Sequence, residues 1–270
     1  MKIAPFQLVL LLVVLLVGCT QPADKQEDSG KTVSPEIDNT DGKLTIAAAA
    51  NLRFVLAELE SDFEKNTTTD LEIIYASSGK LTSQIINGAP FDVFLSANMK
   101  FPLALFKENL TTGEPMVYAL GTLIMWSTKD LDLSKGLNRL LEDDIEKIAI
   151  ASDKHAPYGS AALEALKSAQ VYSKIESKLV YGESVSQVNQ YVKSESVDVG
   201  LTNKSVIIGM TQDNGIWHDV DTALYTQIEQ GIVITNRGAE HRGKDCQTFL
   251  NYLFSSTAQE IFAKYGYLEP

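Results

Sequence analysis

Leu44-Thr45-Ile46-Ala47-Ala48-Ala49-Ala50-Asn51-Leu52-Arg53-Phe54-Val55-Leu56 decides the fold. A short β-branched and aliphatic run passes through small residues into a segment whose apolar positions Leu52, Val55, Leu56, Leu59 and Phe63 fall at helical spacing. Glu58, Glu60, Asp62 and Glu64 are left for the outer side. This is a strand feeding an amphipathic helix, with Asn51 expected as the helix N-cap. Downstream the unit recurs: strand-like runs at 71–75, 93–95, 123–126, 148–150, 197–201 and 232–234 alternate with helical patterns. Such alternation is the signature of α/β lobes with mostly parallel sheets. Near the end, Ser256 and Gln259 read as a capping box, Ile261 and Phe262 as core contacts, and Gly266 as a stop. Nothing after residue 43 resembles a long linker, so two lobes would be crossed by the chain more than once.

The other end of the 270-residue chain is different in kind. Lys2 precedes an apolar run at 6–17 that is too short to span a bilayer and reads as the hydrophobic part of a secretory signal. It closes on Leu16-Val17-Gly18-Cys19, small residues before a cysteine, as in a bacterial lipobox; an ordinary secretory signal with an incidental cysteine is the plainer alternative. On the lipobox reading residues 1–18 are removed and acyl chains on Cys19 anchor the protein to a membrane. Residues 19–42 are rich in Gln, Asp, Glu, Lys, Ser, Thr and Pro, cannot bury enough apolar surface to order themselves, and are expected to form a flexible tether.

Composition narrows the function. Cys246 is the one other cysteine, so an internal disulfide is not expected, and it reads as a small core residue on a helix. His155, His218 and His241 show no metal-ligand spacing. A formal net charge of −12 argues against nucleic acid, whose phosphates need clustered Lys and Arg. An anion would have to be met by local dipoles instead.

Four places offer such dipoles, each a strand end with small or hydroxylic residues before a helix. They are Ala47-Ala48-Ala49-Ala50-Asn51, Tyr75-Ala76-Ser77-Ser78-Gly79, His155-Ala156-Pro157-Tyr158-Gly159 and Gly182-Glu183-Ser184-Val185. A helix start points unpaired N–H groups outward and favours negative charge. Tyr158 adds a neutral O–H donor, Val185 only its backbone N–H, and Asn203, in Gly200-Leu201-Thr202-Asn203, an amide.

In order and spacing, these motifs resemble the molybdate-binding proteins of bacterial molybdate ABC transporters over 43–268. The resemblance rests on Ala48-Ala49-Ala50-Asn51-Leu52, Ala76-Ser77-Ser78 with Leu81, the run from Gly88-Ala89-Pro90-Phe91-Asp92 to Ser96-Ala97, Pro157-x-Gly159, Val199-Gly200 and Ile261-Phe262-x-x-Tyr265-Gly266. It implies a two-lobed α/β type II periplasmic-binding-protein fold with a mixed, mostly parallel sheet in each lobe and a ligand cleft between them. Residues 43–121 with 229–270 would form one lobe and 122–228 the other. It further implies an extracytoplasmic monomer that is not an enzyme, needs no cofactor, and delivers molybdate or tungstate to an ABC transporter permease. Carried over by position, the oxyanion contacts would be Asn51 where many relatives have serine, Ser78, Tyr158 where some have alanine, the backbone at Val185, and Asn203 where many have tyrosine.

All five positions are uncharged, so a dianion would be held by helix N-termini and converging donors. A fully deprotonated oxyanion suits donors alone, whereas phosphate keeps an O–H that needs an acceptor; rejection of phosphate is therefore expected. Sulfate differs from molybdate only in size, which leaves a sulfate-binding protein as an alternative. A serine hydrolase using Ser77 or Ser78 with His155 is a rival of another class, without a Gly-x-Ser-x-Gly elbow to support it. An organic acid would call for an arginine, and Arg53 is the one beside a proposed contact. Lys80, Lys154 and Lys204 read as facing solvent or a partner.

Overall fold

Strand β1 (Leu44–Ala49) runs through a 3-10 turn (Ala50–Leu52) into helix α1 (Arg53–Asn66) in the computed structural model of the protein, which describes residues 42–210 and 215–270. The expected leader 1–18, the anchor Cys19 and the tether up to residue 41 lie outside the described residues. In α1 the apolar stripe Val55, Leu56, Leu59 and Phe63 is fully buried. Each such side chain contributes roughly 1.5–3 kcal/mol by leaving water.

The remaining elements follow in order. The first half holds β2 (Leu71–Ala76), α2 (Ser78–Ile86), β3 (Val93–Ser96), α3 (Lys100–Lys107), β4 (Thr111–Gly121), β5 (Leu123–Ser127) and β6 (Ile148–Ala151). The second holds α4 (Pro157–Ser168), α5 (Tyr172–Ile175), β7 (Leu179–Gly182), α6 (Val185–Lys193), β8 (Val199–Asn203), α7 (Ser205–Gly209), β9 (Ile216–Asp219), β10 (Ile228–Thr235), α8 (Asn236–Leu253) and α9 (Ser256–Lys264).

The strands form two five-stranded sheets, ordered β2-β1-β3-β10-β4 and β7-β6-β8-β5-β9. Each is mixed. In the first, β1 pairs parallel with β2 and β3 while β10 pairs antiparallel with β3 and β4. In the second, β6 pairs parallel with β7 and β8 while β5 pairs antiparallel with β8 and β9. Only Thr122 separates β4 from β5, so the chain changes sheets there and returns at β10. Each lobe of this type II periplasmic-binding fold is one sheet with its helices. The parallel half of each sheet brings several strand carboxyl ends to one side, which is where open α/β sheets bind ligands.

Two strands, β4 and β9, were not foreseen, and β7 only as a strand end at Gly182; all three are sheet edges. β4 carries Gly113 and Pro115, which punctuate a sequence as turns but are tolerated on an edge strand. The capping box is also displaced. Ser255, not Ser256, caps α9 by accepting from Ala258 N–H, and the Gln259 side chain donates to the carbonyls of Tyr118 (3.1 Å) and Leu253 (2.7 Å) instead of reaching back. Gly266, at φ 78°, follows the end of this helix as expected. Cys246 is buried in α8, and burial pushes its thiol up to about 12. Buried Asp92 ties the first lobe together: one carboxylate oxygen accepts from Thr45 N–H at 2.9 Å and the other pairs with Arg237.

Candidate functional site

Five strand ends contribute to one cavity. Its wall is Ala49, Ala50 and Asn51 after β1, Ser77 and Ser78 after β2, Ala97 after β3, Ala156, Pro157 and Tyr158 after β6, and Ser184 and Val185 after β7, around about 200 Å³ of atom-free space. No wall residue carries a charge. The turn at Ala50 and helices α2, α4 and α6 all begin here. Their N-cap residues Ala49, Ser77, Ala156 and Ser184 are extended, and none caps with its side chain. The first-turn N–H groups, which have no partner within a helix, are thus not taken by their own caps. Alanines on the wall keep that backbone accessible.

The structure brings four of the five expected residues together on this wall. Ser78 is the first residue of α2 and fully buried; its Oγ accepts from Ala97 N–H at 3.0 Å, which leaves the hydroxyl proton for an acceptor in the cavity. Tyr158, second in α4, is 2 % exposed, and its phenol is held well above the ordinary value of 10 by burial first and the neighbouring phenols second. It therefore stays a neutral donor. Gly121 makes its seat, because a Cβ there would stand 2.2 Å from the Tyr158 hydroxyl. Val185 opens α6 directly after extended Ser184.

Asn51 is not an N-cap. It lies inside the 3-10 turn, capped at Ala49, because its side chain is engaged elsewhere: Nδ2 donates to Gln230 Oε1 at 2.8 Å and to the Tyr267 hydroxyl at 2.9 Å. Its Oδ1 is buried with no partner among the described residues. Gln230 is oriented in turn by donating to the carbonyls of Ala97 (3.3 Å) and Ile228 (3.2 Å). Asn203 stands apart from the wall. It is buried one layer back, at the carboxyl end of β8, donating from Nδ2 to the Asn51 carbonyl at 3.1 Å. Gln230, Ser205 and Tyr267 were missed by sequence reasoning, for they meet Asn51 across 154 to 216 residues of chain and no local pattern marks them.

The two lobes meet at the mouth of the cavity. Gly79 N–H donates to the His155 carbonyl at 2.9 Å, and a Cβ on Gly79 would lie 2.9 Å from His155 Cα, so only glycine permits this approach. Outside it, Ser77, Lys80, His155, Tyr181 and Glu183 border a wider opening, with Lys80 and Glu183 exposed and 3.9 Å apart. Arg53 is exposed and stacks on the Tyr75 ring at 4.4 Å, away from the cavity wall. Lys204 pairs with Asp219 at 3.1 Å. The hydrolase constellation is not assembled: among the described residues no hydrogen bond joins the His155 ring to Ser77 or Ser78. What the arrangement can do is bind a compact anion. Each helix start contributes roughly 0.3–1 kcal/mol toward negative charge, and more when partly buried. Each charge-assisted hydrogen bond adds about 1.5–3 kcal/mol.

Comparison with known proteins agrees with this geometry. The family model for bacterial extracellular solute-binding proteins matches residues 44–268. The chain is 35 % identical to the molybdate-binding protein of Rhodobacter capsulatus over 229 residues, 84 % of this chain and 88 % of that one. It is 29 % identical over 270 residues to a putative ABC transporter substrate-binding lipoprotein of Bacillus subtilis, 98 % of each. Among solved structures, the periplasmic molybdate-binding protein of Azotobacter vinelandii superimposes with a TM-score of 0.79 at 29 % identity, covering 84 % of this chain and all of that one.

Proposed function

The chain belongs to the bacterial extracellular solute-binding protein family, among the molybdate-binding proteins, and from that premise we propose that it captures molybdate, and tungstate with it, for an ABC importer. It is a binding protein and not an enzyme. The observation that carries the reading is the meeting of four helix starts, none with a side-chain cap, on one cavity without a charged wall residue. The proposed contacts are Ser78, Tyr158, the Val185 N–H and Asn51, the last through its backbone N–H because both Nδ2 protons are taken by Gln230 and Tyr267; Asn203 belongs behind them. Neutral donors in a water-poor cleft hold a dianion without any lysine, which reconciles anion capture with a chain of net charge −12. The lobes, 43–121 with 229–270 and 122–228, close on the ion between them.

The same reading takes the protein to the outer side of a membrane as a lipid-anchored monomer. Residues 1–18 serve as its leader, Cys19 carries the lipid, and 19–42 form the tether that lets it reach the permease. Similarity to a putative lipoprotein along 98 % of the chain supports this. Calorimetric titration of the full lipid-free chain tests the ligand. Molybdate and tungstate are expected to bind tightly, with sulfate and phosphate weaker. Asn51 Oδ1, an acceptor without a partner among the described residues, makes phosphate the sharpest competitor. Phosphate binding as tight as molybdate removes the selectivity argument, and absence of molybdate binding removes the reading.

A further inference from the structure

Behind the cavity, the carbonyl of Asn51 is where the two lobes join. Asn203 Nδ2 (3.1 Å) and Ser205 Oγ (2.9 Å) reach it from the second lobe, and the Tyr267 hydroxyl (3.0 Å) reaches it from the C-terminal segment. Their protons have consistent destinations. The Asn203 amide carries two, one for this carbonyl and one for Ser205 Oγ at 2.5 Å. Ser205 and Tyr267 each give their single proton to the carbonyl, and Tyr267 accepts from Asn51 Nδ2. All four residues are buried.

Three donors thus share an oxygen that has two lone pairs. Tyr267 alone keeps this carbonyl satisfied, so both second-lobe donors can withdraw without leaving a buried acceptor unpaired. Their contribution is geometric. A peptide unit is planar, so gripping the Asn51 carbonyl also fixes the Asn51–Leu52 peptide and, through it, the 3-10 turn whose Ala50 and Asn51 border the cavity. Resting on the oxyanion reading above, we propose that Asn203 and Ser205 are positioning residues. They touch no ligand, and by holding the Asn51 carbonyl from the opposite lobe they put the first helix turn in its ligand-holding orientation only when the cleft is shut.

The test uses the full lipid-free chain with Asn203→Ala, Ser205→Ala and Ser205→Thr. Molybdate and tungstate affinities come from calorimetry, dissociation rates from stopped-flow, and melting temperatures are taken with and without molybdate. Each alanine variant should weaken both oxyanions by the same factor, about tenfold, through faster dissociation. The ligand-free melting temperature should hold while the molybdate-induced rise shrinks, and Ser205→Thr, which keeps the hydroxyl, should restore affinity. Ser205→Ala removes a single atom, so it carries the test if Asn203→Ala fails to fold. Wild-type affinity in the alanine variants overturns the proposal. So does a change in the molybdate-to-tungstate ratio, the mark of direct contact, or an equal melting loss with and without ligand, the mark of simple support. A wild-type protein that binds neither oxyanion instead sinks the function it rests on.

Discussion

Helices α2, α4 and α6 begin differently from α8 and α9. At the first three, Ser77, Ala156 and Ser184 make no side-chain cap; at the last two, the hydroxyls of Thr235 and Ser255 accept from Gly238 and Ala258 N–H at 2.9 and 3.3 Å. Ser77, Ser184 and Ser255 are the same residue at the same helical position, used in opposite ways. Where a helix starts away from the cleft, its own cap quenches the exposed donors. Where it starts at the cleft, the preceding side chain leaves those donors to other acceptors, as Gly79 N–H shows by donating to the His155 carbonyl. A missing cap is not sufficient by itself, since α3 starts at Met99 without one; it is the convergence of such starts that makes a site.

The largest effect that sharpens this contrast should come from Val185→Pro. Proline is accommodated at the first helical position, and extended Ser184 is compatible with a following proline, so the change deletes one N–H while keeping the helix start, at the cost of reshaping one buried side chain. Pro157 already occupies that position in α4. Titration should show molybdate weakened by roughly ten- to a hundredfold, with a small fall in the ligand-free melting temperature from the reshaped core side chain; undiminished affinity would put the start of α6 outside the site. Gly121→Ala comes next. Its new methyl would stand 2.2 Å from the Tyr158 hydroxyl and 2.8 Å from Gln230 Nε2, so denaturant unfolding should register about 1–3 kcal/mol of lost stability, and titration a lower affinity.

Smaller effects bear on the caps themselves. Thr235→Ala and Ser255→Ala should each cost about 1 kcal/mol of stability and leave oxyanion affinity alone. Ser184→Ala should cost none, and a loss equal to that of Ser255→Ala would break the comparison. The smallest expected effect is with pH. Burial raises the phenol of Tyr158 well above 10, so its donor persists and its contribution to affinity should stay flat from neutral pH to about 10. Because the folded value exceeds the unfolded one, the associated stability is complete below about 10 and declines as pH rises toward the folded value. Tyr267, raised to about 12, acts in the same direction. Melting temperature followed from neutral to alkaline pH checks both.

Legibility varied with how much of each element is buried. The six-residue run at Leu44 and the fully buried β3 and β6 announce themselves by composition. β7 and β9, with half-exposed or exposed residues such as Val180, Tyr181, Trp217 and Asp219, do not, because an edge strand need not be apolar. The places of Asn51, Ser78, Tyr158 and Val185 on one cavity wall were legible because each follows a strand in a helix-starting pattern. Asn203 shares that local setting yet stands a layer back, with the Asn51 carbonyl in front of it.

The amino-acid sequence by itself determined that strands alternate with helices, that several helices start on small or hydroxylic residues, and that the candidate contacts are themselves uncharged. These are local properties, written in the spacing of apolar residues and in the chemistry of single turns. Only the tertiary structure decided which helix starts meet on one cavity, which amide lines it and which lies a layer behind, and that Gln230, Ser205 and Tyr267 hydrogen-bond Asn51. Those outcomes depend on contacts between residues 154 to 216 positions apart: Gln230 reaches Asn51 only once β10 has joined the sheet of β1, Tyr267 only once the C-terminal segment has packed back on that lobe, and Ser205 only from the second lobe.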